Sequence, residues 1–201
     1  MDLDSCLAAL KSPGVVAFPT DTFYALSCDP SEPVALSKLR QLKGLDSDRP
    51  LPLLIPRDYD LAVCGCTVSD NAAQLMQSFW PGKLTVILPC TGALAAAVGR
   101  SADGAIGVRA PDTKWLLRLL ERMETPLVGT SANPTGQPPA RTSAEVRSYF
   151  GAEVAVLDEA DAEGGQPSTV VDCTGGAFEI VREGAISSAD ILQHQESGNV
   201  S

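Results

Sequence analysis

The sequence predicts a single α/β domain built on a twisted, mixed β-sheet of about seven strands flanked by helices. Short apolar runs alternate along the chain with amphipathic stretches of helical length, and no repeat or linker divides the 201 residues. The turn at Thr174-Gly-Gly176 lies between the last two apolar runs and indicates a hairpin. Because hairpin strands are antiparallel, we expect a mixed sheet.

The predicted helices share apolar residues at spacings of three and four and recognisable ends. Leu3, Leu7 and Leu10 mark the first helix, which ends at Pro13-Gly14. Thr142-Ser-Ala-Glu145 resembles a capping box at the start of a later helix. The predicted helical segments, the fifth of them a helix or a turn, are residues 3–10, 33–42, 57–63, 69–79, 94–98, 112–122, 142–150 and 186–192.

The predicted strands are short apolar runs bounded by Gly, Pro or polar residues. They cover residues 15–18, 50–55, 83–88, 105–109, 127–128, 154–157, 168–171 and 178–182. Trp80, at the break between a helix and a strand, is interpreted as a core anchor. We expect residues 1–192 to form the domain and the polar residues 193–201 to form a disordered tail.

Charge and hydropathy narrow the functional classes. The net charge of −10 argues against a broad nucleic-acid surface, so direct nucleic-acid binding is expected to be weak or absent. A small cationic pocket for a nucleotide stays compatible with this charge. No apolar run has the length of a membrane span, and residues 1–12 lack the basic region of a signal peptide. We therefore expect a cytoplasmic protein without membrane association.

The cysteines and the single histidine give no strong indication of a metal site or of a catalytic base. Cys64-Gly-Cys66 is the one closely spaced pair among the six cysteines, and it is a weak zinc signal without a partner pair. In a cytoplasmic chain, buried reduced thiols are the better interpretation. His194 lies in the predicted tail, which argues against a histidine base or a multi-histidine metal site.

Two polar segments follow predicted buried strands. Thr130-Ser-Ala-Asn133 places three hydrogen-bonding side chains within four residues, before the turn Pro134-Thr-Gly136. Pro19-Thr-Asp-Thr-Phe-Tyr24 repeats this construction after residues 15–18. In open α/β sheets, loops beyond strand ends form ligand sites. Capped turns without a ligand remain the alternative for both segments.

Several cations lie at the ends of predicted elements. Arg109 ends a strand, and because burying a guanidinium without a partner is costly, we expect an anion close to it. Arg182 also ends a strand, and Ser168 begins one. Lys43 and Arg49 flank the connection between a helix and a strand, where solvated surface cations are the alternative.

This combination of hydroxyls and cations contains no nucleophile–base pair. The sequence has no G-x-S-x-G, no P-loop and no dinucleotide-binding fingerprint. Cations and hydroxyls without an acid–base residue suit phosphoryl or nucleotidyl transfer, in which positioning and charge neutralisation supply most of the catalysis. Mg²⁺ usually bridges the phosphates in such reactions.

Seven segments, in order, carry a resemblance to a known family. They are Phe18-Pro-Thr-Asp-Thr-Phe-Tyr24, Leu42-Lys-Gly with Arg49-Pro-Leu-Pro-Leu-Leu54, Trp80-Pro-Gly-Lys-Leu-Thr85, Gly107-Val-Arg-Ala-Pro111, Thr130-Ser-Ala-Asn133, Pro167-Ser-Thr-Val170 and Val181-Arg-Glu-Gly184. Together they resemble the YrdC-like family, whose best-known members are threonylcarbamoyl-AMP synthases. The resemblance covers nearly the whole chain.

The resemblance implies an activity and a set of site residues. The activity is synthesis of threonylcarbamoyl-AMP from L-threonine, bicarbonate and ATP with Mg²⁺, with release of pyrophosphate, for t6A modification of tRNA and together with partner proteins of that modification. The implied L-threonine site contains Thr22, Tyr24, Arg109 and Ser168, with Arg109 on the carboxylate. The implied ATP or carbonate site contains Lys43, Arg49, Ser131, Asn133 and Arg182, with Lys43 and Arg49 as catalytic residues.

The chain departs from the family pattern at two positions. The usual Lys-x-Arg-Pro is Lys43-Gly-Leu45-Asp46 here, so a phosphate-facing arginine is missing, and Arg49 matches another basic position of the family. Ala105 stands where many members carry a hydroxyl that faces the nucleotide. Two alternatives stay open: a divergent paralogue that handles another carbamoyl or acyl adenylate, and a non-catalytic RNA-binding module.

Overall fold

The structure is a computed structural model that describes residues 1–98, 104–158 and 161–198, with the backbone alone for 194–198. Its elements are α1 (Leu3–Lys11), β1 (Val16–Pro19), β2 (Tyr24–Ser27), α2 (Pro33–Lys43), β3 (Leu53–Leu54), α3 (Asp70–Phe79), β4 (Leu84–Pro89), α4 (Ala93–Val98), β5 (Ala105–Arg109), α5 (Lys114–Met123), β6 (Leu127–Val128), β7 (Thr130–Ser131), α6 (Ser143–Phe150), β8 (Ala155–Val156), β9 (Thr169–Asp172), β10 (Glu179–Arg182) and α7 (Ser188–Gly198).

The α/β class is confirmed, but the strands form two mixed sheets instead of one. The first sheet has the order β7-β2-β1-β8, and the second has the order β10-β9-β4-β5-β3-β6. In the second sheet β4 is antiparallel to β5 and parallel to β9, and the expected hairpin joins β9 to β10. The first sheet contains β2 and β7, which are absent from the sequence prediction and pair with each other.

The two sheets are joined directly where β6 leads into β7 through Gly129. A Cβ atom at this position would lie 2.3 Å from Cγ of Leu54, so the close approach of the chain to β3 requires glycine. The Gly129 amide also donates to the carbonyl oxygen of Pro52 at 2.8 Å. Polar residues that follow the strands of both sheets are thereby brought to neighbouring positions.

The alternation of side chains along β1 separates two apolar cores. Val15 and Ala17 belong to the main core, which the second sheet and several helices share. Val16 and Phe18 point to the opposite face, where α1 and α5 cover the first sheet. Trp80 is a core anchor as predicted, because it is buried and its Nε1 donates to the carbonyl oxygen of Leu84 at 2.8 Å.

Most helix ends follow their local chemistry. The capping box of Thr142 and Glu145 at the start of α6 is confirmed, and Gly44 ends α2 in the left-handed conformation, with φ 64°. The helix expected over residues 57–63 is a 3-10 turn at Leu61–Cys64 instead. Gly65, with φ 70°, ends this turn after four residues, which is too short for a stable α-helix.

The C-terminal helix is longer than expected. α7 runs from Ser188 to Gly198 and crosses the predicted boundary at residue 192. The backbone of residues 193–198 is helical, and Gln and Glu in this polar segment are good helix formers. The disordered tail over residues 193–201 stays a prediction. Residues 199–201 of the predicted tail lie outside the described residues.

The expectation of reduced cysteines is wrong for one pair. Cys66 and Cys90 form a disulfide across an isolated antiparallel bridge, which brings together two segments that the sequence gives no reason to pair. The remaining cysteines are buried thiols, and burial raises the pKa of Cys6 and Cys28 to about 12. In the described part of the chain, no helix has the length and apolarity needed to cross a membrane.

Candidate functional site

The candidate site lies where the turn between β1 and β2 meets one edge of the second sheet. Arg109 at the end of β5 contacts this turn. Because the second sheet is mixed, the same edge also holds the beginnings of β4 and β9, which carry Thr85 and, one residue before β9, Ser168. The site therefore contains residues from the beginnings of some strands and the ends of others, whereas only carboxyl ends were expected from the sequence.

The anion expected beside Arg109 belongs to the chain itself. Asp21 Oδ1 accepts from Arg109 Nη2 at 2.6 Å, and the two side chains are 3% and 8% exposed. Burial lowers the pKa of Arg109, the Asp21 carboxylate opposes this shift, and the charge of Arg182 adds to it. Arg182 is therefore close enough to influence this buried ion pair.

Arg109 keeps part of its hydrogen-bonding capacity. Its Nε donates to the carbonyl oxygen of Gly82 at 2.9 Å and its Nη1 to Thr22 Oγ1 at 3.3 Å. With the Asp21 contact, three of the five N–H groups of the guanidinium are used by the described residues, which leaves two. These two groups can bind a ligand although Asp21 already balances the charge.

Two pairs of hydroxyl groups flank this ion pair. Thr20 and Thr22 bring their Oγ1 atoms within 3.0 Å, and Thr85 Oγ1 lies 2.9 Å from Ser168 Oγ. Arg182 Nη2 donates to the carbonyl oxygen of Ser168 at 2.8 Å and contacts its hydroxyl at 3.4 Å. Thr22, Ser168, Arg109 and Arg182 are thus brought together.

Three residues of this cluster were not assigned to the site from the sequence. Thr20 and Asp21 stand inside the polar segment that was singled out, but the resemblance pointed only to Thr22 and Tyr24. Thr85 is buried and lies in an apolar strand. The only indication of it in the sequence was therefore a polar residue within an apolar run. That signal does not distinguish a site residue from a satisfied core threonine.

A second cluster surrounds the end of α2. The Lys43 ammonium donates to the carbonyl oxygen of Ser131, to that of Asn133 at 3.0 Å, and to Asn133 Oδ1 at 3.5 Å. Lys43 is only 5% exposed. Burial, followed by the charge of Arg49, lowers its pKa to about 8. A buried cation held by neutral oxygens attracts an anion strongly.

Asn133 forms the capped turn that the sequence left as an alternative. Its Nδ2 donates to the carbonyl oxygens of Pro134 at 3.1 Å and Gln137 at 2.6 Å. Thr135 then donates from its amide and its hydroxyl to the carbonyl oxygen of Lys43, at 2.9 Å and 2.7 Å. The turn and the end of α2 therefore form one unit, in which both amide hydrogens of Asn133 are occupied.

Arg49 lies in the exposed loop that follows α2, and its charge lowers the pKa of Lys43. Arg40 anchors this loop, because its Nη1 donates to the carbonyl oxygens of Asp46 at 3.2 Å and Arg49 at 2.6 Å. Leu45, at the position of the missing arginine, is partly buried and packs on the main core. Arg49 is thus the second cation of this cluster.

Tyr24 is not brought to an open surface. Its side chain is fully buried in the main core, and its hydroxyl donates to the carbonyl oxygen of Leu157 at 3.4 Å. The backbone of Tyr24 instead connects the two clusters, since its carbonyl oxygen accepts from the Ala132 amide at 2.8 Å. Thr22 and the Ser131–Asn133 segment are neighbours for this reason.

The charges of the combined site are unevenly distributed. Asp21 balances Arg109, whereas Lys43, Arg49 and Arg182 form no ion pair with another described residue. One part of the site is therefore polar and close to neutral, and the rest is cationic. Among the described residues, no group of three or more His, Cys, Asp or Glu could hold a metal ion. This arrangement can bind a polar zwitterion beside a phosphate-bearing anion.

The sequence profile of one family matches residues 8–184. It is the Sua5/YciO/YrdC family, described as "Telomere recombination". Because this match covers most of the chain, the protein belongs to that family, which confirms the resemblance in the sequence.

Relatives of similar length are enzymes. The threonylcarbamoyl-AMP synthase of Thiobacillus denitrificans is 34% identical over 84% of this chain and 89% of its own. The synthase of Klebsiella pneumoniae is 33% identical over 89% of this chain and 93% of its own. The chain is thus a member of a family of transferases, and its fold carries the expected YrdC-like domain.

Solved structures share the same fold. Sua5 of P. abyssi, in a crystal structure complexed with L-threonine, superposes with a TM-score of 0.89 at 27% identity and covers 96% of this chain. The present chain spans only 56% of that Sua5 chain. YciO of E. coli superposes with a TM-score of 0.81 at 24% identity, which shows the fold alone.

Proposed function

We propose that the protein synthesises threonylcarbamoyl-AMP from L-threonine, bicarbonate and ATP and releases pyrophosphate. The observation that carries this proposal is the junction of a nearly neutral, hydroxyl-lined site at Thr22 and Arg109 with a cationic site at Lys43 and Arg49. A zwitterionic amino acid fits the nearly neutral site, and a triphosphate needs the cationic site next to it. The names of the relatives and the L-threonine complex of P. abyssi Sua5 support the same assignment.

The role of Arg109 follows from its remaining hydrogen-bonding capacity, whereas those of Lys43, Arg49 and Arg182 follow from their charge. Thr22, Ser168 and the two spare N–H groups of Arg109 bind the amino acid, with Arg109 on its carboxylate. Tyr24 supports this pocket from within the core. Lys43 and Arg49 are the catalytic cations, and they bind the phosphates together with Arg182 and the hydroxyl of Ser131. Asn133 contributes to the nucleotide site by holding the turn that presents Ser131.

The reaction requires two bond-forming steps. The amine of threonine attacks the carbon of bicarbonate, a C–N bond forms, and water leaves to give the carbamate. A carbamate oxygen then attacks the α-phosphorus of ATP, and the bond to the pyrophosphate leaving group breaks. Lys43, Arg49 and Arg182 stabilise the negative charge that develops on the phosphate oxygens.

Mg²⁺ enters this proposal as part of the substrate MgATP. Asp21 is engaged with Arg109, and the other groups of the site are cations, hydroxyls and carbonyl oxygens. This donor set does not resemble the carboxylate ligands of a resident magnesium ion. The phosphates and water would therefore hold the ion, while the protein binds the complex through its cations.

The product of this reaction must be used in a later transfer step. Threonylcarbamoyl-AMP is a reactive mixed anhydride, and its use in t6A formation requires a partner enzyme that transfers the acyl group to tRNA. We propose a cytoplasmic location for this reason. The net charge of −10 favours a handover between proteins over direct tRNA binding by this chain.

The test is pyrophosphate release from ATP and bicarbonate, with and without L-threonine and with other amino acids in its place. We expect release only with L-threonine. Release with a different amino acid would support the divergent paralogue, which Leu45 in place of the family arginine favours. A folded protein that binds ATP but releases no pyrophosphate with any amino acid would contradict the synthase and leave the RNA-binding module to be tested by salt-dependent RNA affinity.

A further inference from the structure

The hydroxyl hydrogens in the turn between β1 and β2 can be assigned by counting donors and acceptors. Thr20 Oγ1 lies 2.8 Å from the carbonyl oxygen of Phe23, which can only accept. The single hydrogen of the Thr20 hydroxyl is therefore used in this bond. Thr20 Oγ1 also accepts from the Thr22 amide at 3.1 Å.

This assignment fixes the direction of the bond between the two threonines. Since Thr20 has no hydrogen left, Thr22 must donate its hydroxyl hydrogen to Thr20 Oγ1 across the 3.0 Å contact. Thr22 Oγ1 in turn accepts from Arg109 Nη1 at 3.3 Å. The Thr22 hydroxyl therefore retains one lone pair and no hydrogen for a ligand.

The neighbouring groups keep the Thr22 hydroxyl an acceptor toward a ligand. Arg109 is always a donor in proteins, and the buried Asp21 carboxylate holds it at 2.6 Å. Asp21 Oδ2 also accepts from the Asp112 amide at 3.4 Å, which fixes the carboxylate itself. Thr20 and Thr22 are each 6% exposed, so bulk water does not compete freely for these groups.

We propose that Thr22 acts as an obligatory acceptor that binds a hydrogen-bond donor of the amino acid substrate. Thr20 is the positioning residue, because it accepts the only hydrogen of the Thr22 hydroxyl. This inference rests on the proposed function, because it concerns the amino acid site. Two groups of threonine are donors, the side-chain hydroxyl and the amine. Either one fits the Thr22 lone pair, whereas the carboxylate does not and belongs to the guanidinium side of the site.

This arrangement selects ligands that present a hydrogen-bond donor to Thr22. A ligand that lacks the donor leaves a buried lone pair without a partner, and such sites discriminate strongly against the deficient analogue. Without Thr20, the Thr22 hydroxyl can turn its hydrogen toward the ligand and the discrimination is lost. The two threonines therefore act as one specificity element, in which only Thr22 touches the ligand.

The experiment compares the wild-type protein with Thr20→Val and Thr20→Ser by calorimetric binding of three ligands. The ligands are L-threonine, L-2-aminobutyrate, which lacks the hydroxyl, and 3-hydroxybutyrate, which lacks the amine. We expect Thr20→Val to weaken L-threonine binding about tenfold, the usual effect of one hydrogen bond, and Thr20→Ser to leave it unchanged. The ligand that lacks the contacted donor is expected to be insensitive to Thr20→Val, which identifies the donor.

Equal weakening of all three ligands would mean a structural role for Thr20 and would overturn the inference. Unchanged L-threonine binding by Thr20→Val, or a tenfold loss by Thr20→Ser, would overturn it as well. If Thr20→Val does not fold, Thr22→Val must produce the same pattern among the ligands, because it removes the lone pair itself.

The same measurements separate this inference from the proposed reaction. Wild-type protein that binds L-threonine but releases no pyrophosphate contradicts the reaction, while the binding pattern still decides the role of Thr20. Wild-type protein that binds none of the three ligands contradicts both.

Discussion

At the scale of single residues, the ion pair of Asp21 and Arg109 changes the meaning of a buried arginine. An anion was expected close to this guanidinium at a strand end, and the chain supplies it as a carboxylate 88 residues away. The substrate therefore meets an arginine whose charge is balanced and whose geometry is fixed. Such an arginine selects by the direction of its remaining N–H groups more than by its charge.

Breaking this pair is expected to be costly. Asp21→Ala leaves a buried guanidinium without its counter-ion and should lower the free energy of unfolding by about 3–5 kcal/mol. Glu163→Gln in the Lys83–Glu163 pair is the matched control, because that pair is similarly short, 2.8 Å, but its side chains are 31% and 64% exposed. It should cost less than about 1 kcal/mol. Urea denaturation measures both, and equal effects would contradict the importance of burial.

Lys43 should make nucleotide binding sensitive to pH. Its lowered pKa of about 8 means that the amine is charged below that pH and loses its charge as the pH rises. ATP affinity, measured without amino acid, should therefore fall by up to about tenfold between about pH 7 and pH 9. Lys43→Arg keeps its proton over this range and should give a flat profile. A flat profile in the wild-type protein would mean that the Lys43 charge does not contact the nucleotide.

At the scale of elements, local chemistry predicted most of the helices and missed part of the sheets. The capping box of Thr142 and Glu145 and the left-handed Gly44 act within one turn of the chain, so the sequence reveals them. β2 pairs with its chain neighbour β1 on one side, but its other partner, β7, is far away in the chain, and the two-residue β7 has no pattern of its own. The first sheet was therefore not foreseeable from local patterns.

In the candidate site, too, some features could be predicted from the sequence and others required the structure. Thr22, Arg109, Ser168 and Arg182 were predicted as site residues and lie together, while the buried position of Tyr24 and the pairing of Asp21 with Arg109 required the structure. A sequence shows which residues can form hydrogen bonds. It does not show that an expected ligand contact is already occupied by another part of the chain, as with both amide hydrogens of Asn133.

The end of α2 offers a test at this scale. Gly44 has φ 64°, and a Cβ atom there would contact nothing within 4 Å, so Gly44→Ala introduces backbone strain alone. We expect a loss of about 1 kcal/mol in the free energy of unfolding. We also expect weaker ATP binding, because Lys43 directly precedes this residue. Gly176→Ala is the control, since Gly176 also has open space around it but lies outside the left-handed region. Equal losses in both variants would contradict the conformational argument.

At the scale of the whole molecule, the disulfide of Cys66 and Cys90 ties the segment before α3 to the end of β4. Its sequence separation is 24 residues, and closing a loop of this length stabilises a folded protein by about 3 kcal/mol in the chain-entropy description. A reductant should therefore lower the Tm of the wild-type protein. It should leave the Tm of the Cys66→Ser/Cys90→Ser variant unchanged.

Counting thiols checks the same disulfide directly. Alkylation of the unfolded, unreduced protein should modify the four free cysteines, Cys6, Cys28, Cys64 and Cys173. Mass spectrometry should then detect two further modified residues after reduction. Six modified cysteines before reduction would contradict the disulfide and agree with a fully reduced chain.

The site is assembled from parts of the chain that are far apart in sequence. Thr22 and Arg109 are separated by 87 residues, and Lys43 and Asn133 by 90. Contacts of such long range form late in folding, because the entropy of closing large loops must be overcome before they contribute. A partly folded chain can contain its helices and yet have no substrate pocket. During refolding, the ability to bind L-threonine should therefore return later than the helical circular dichroism signal.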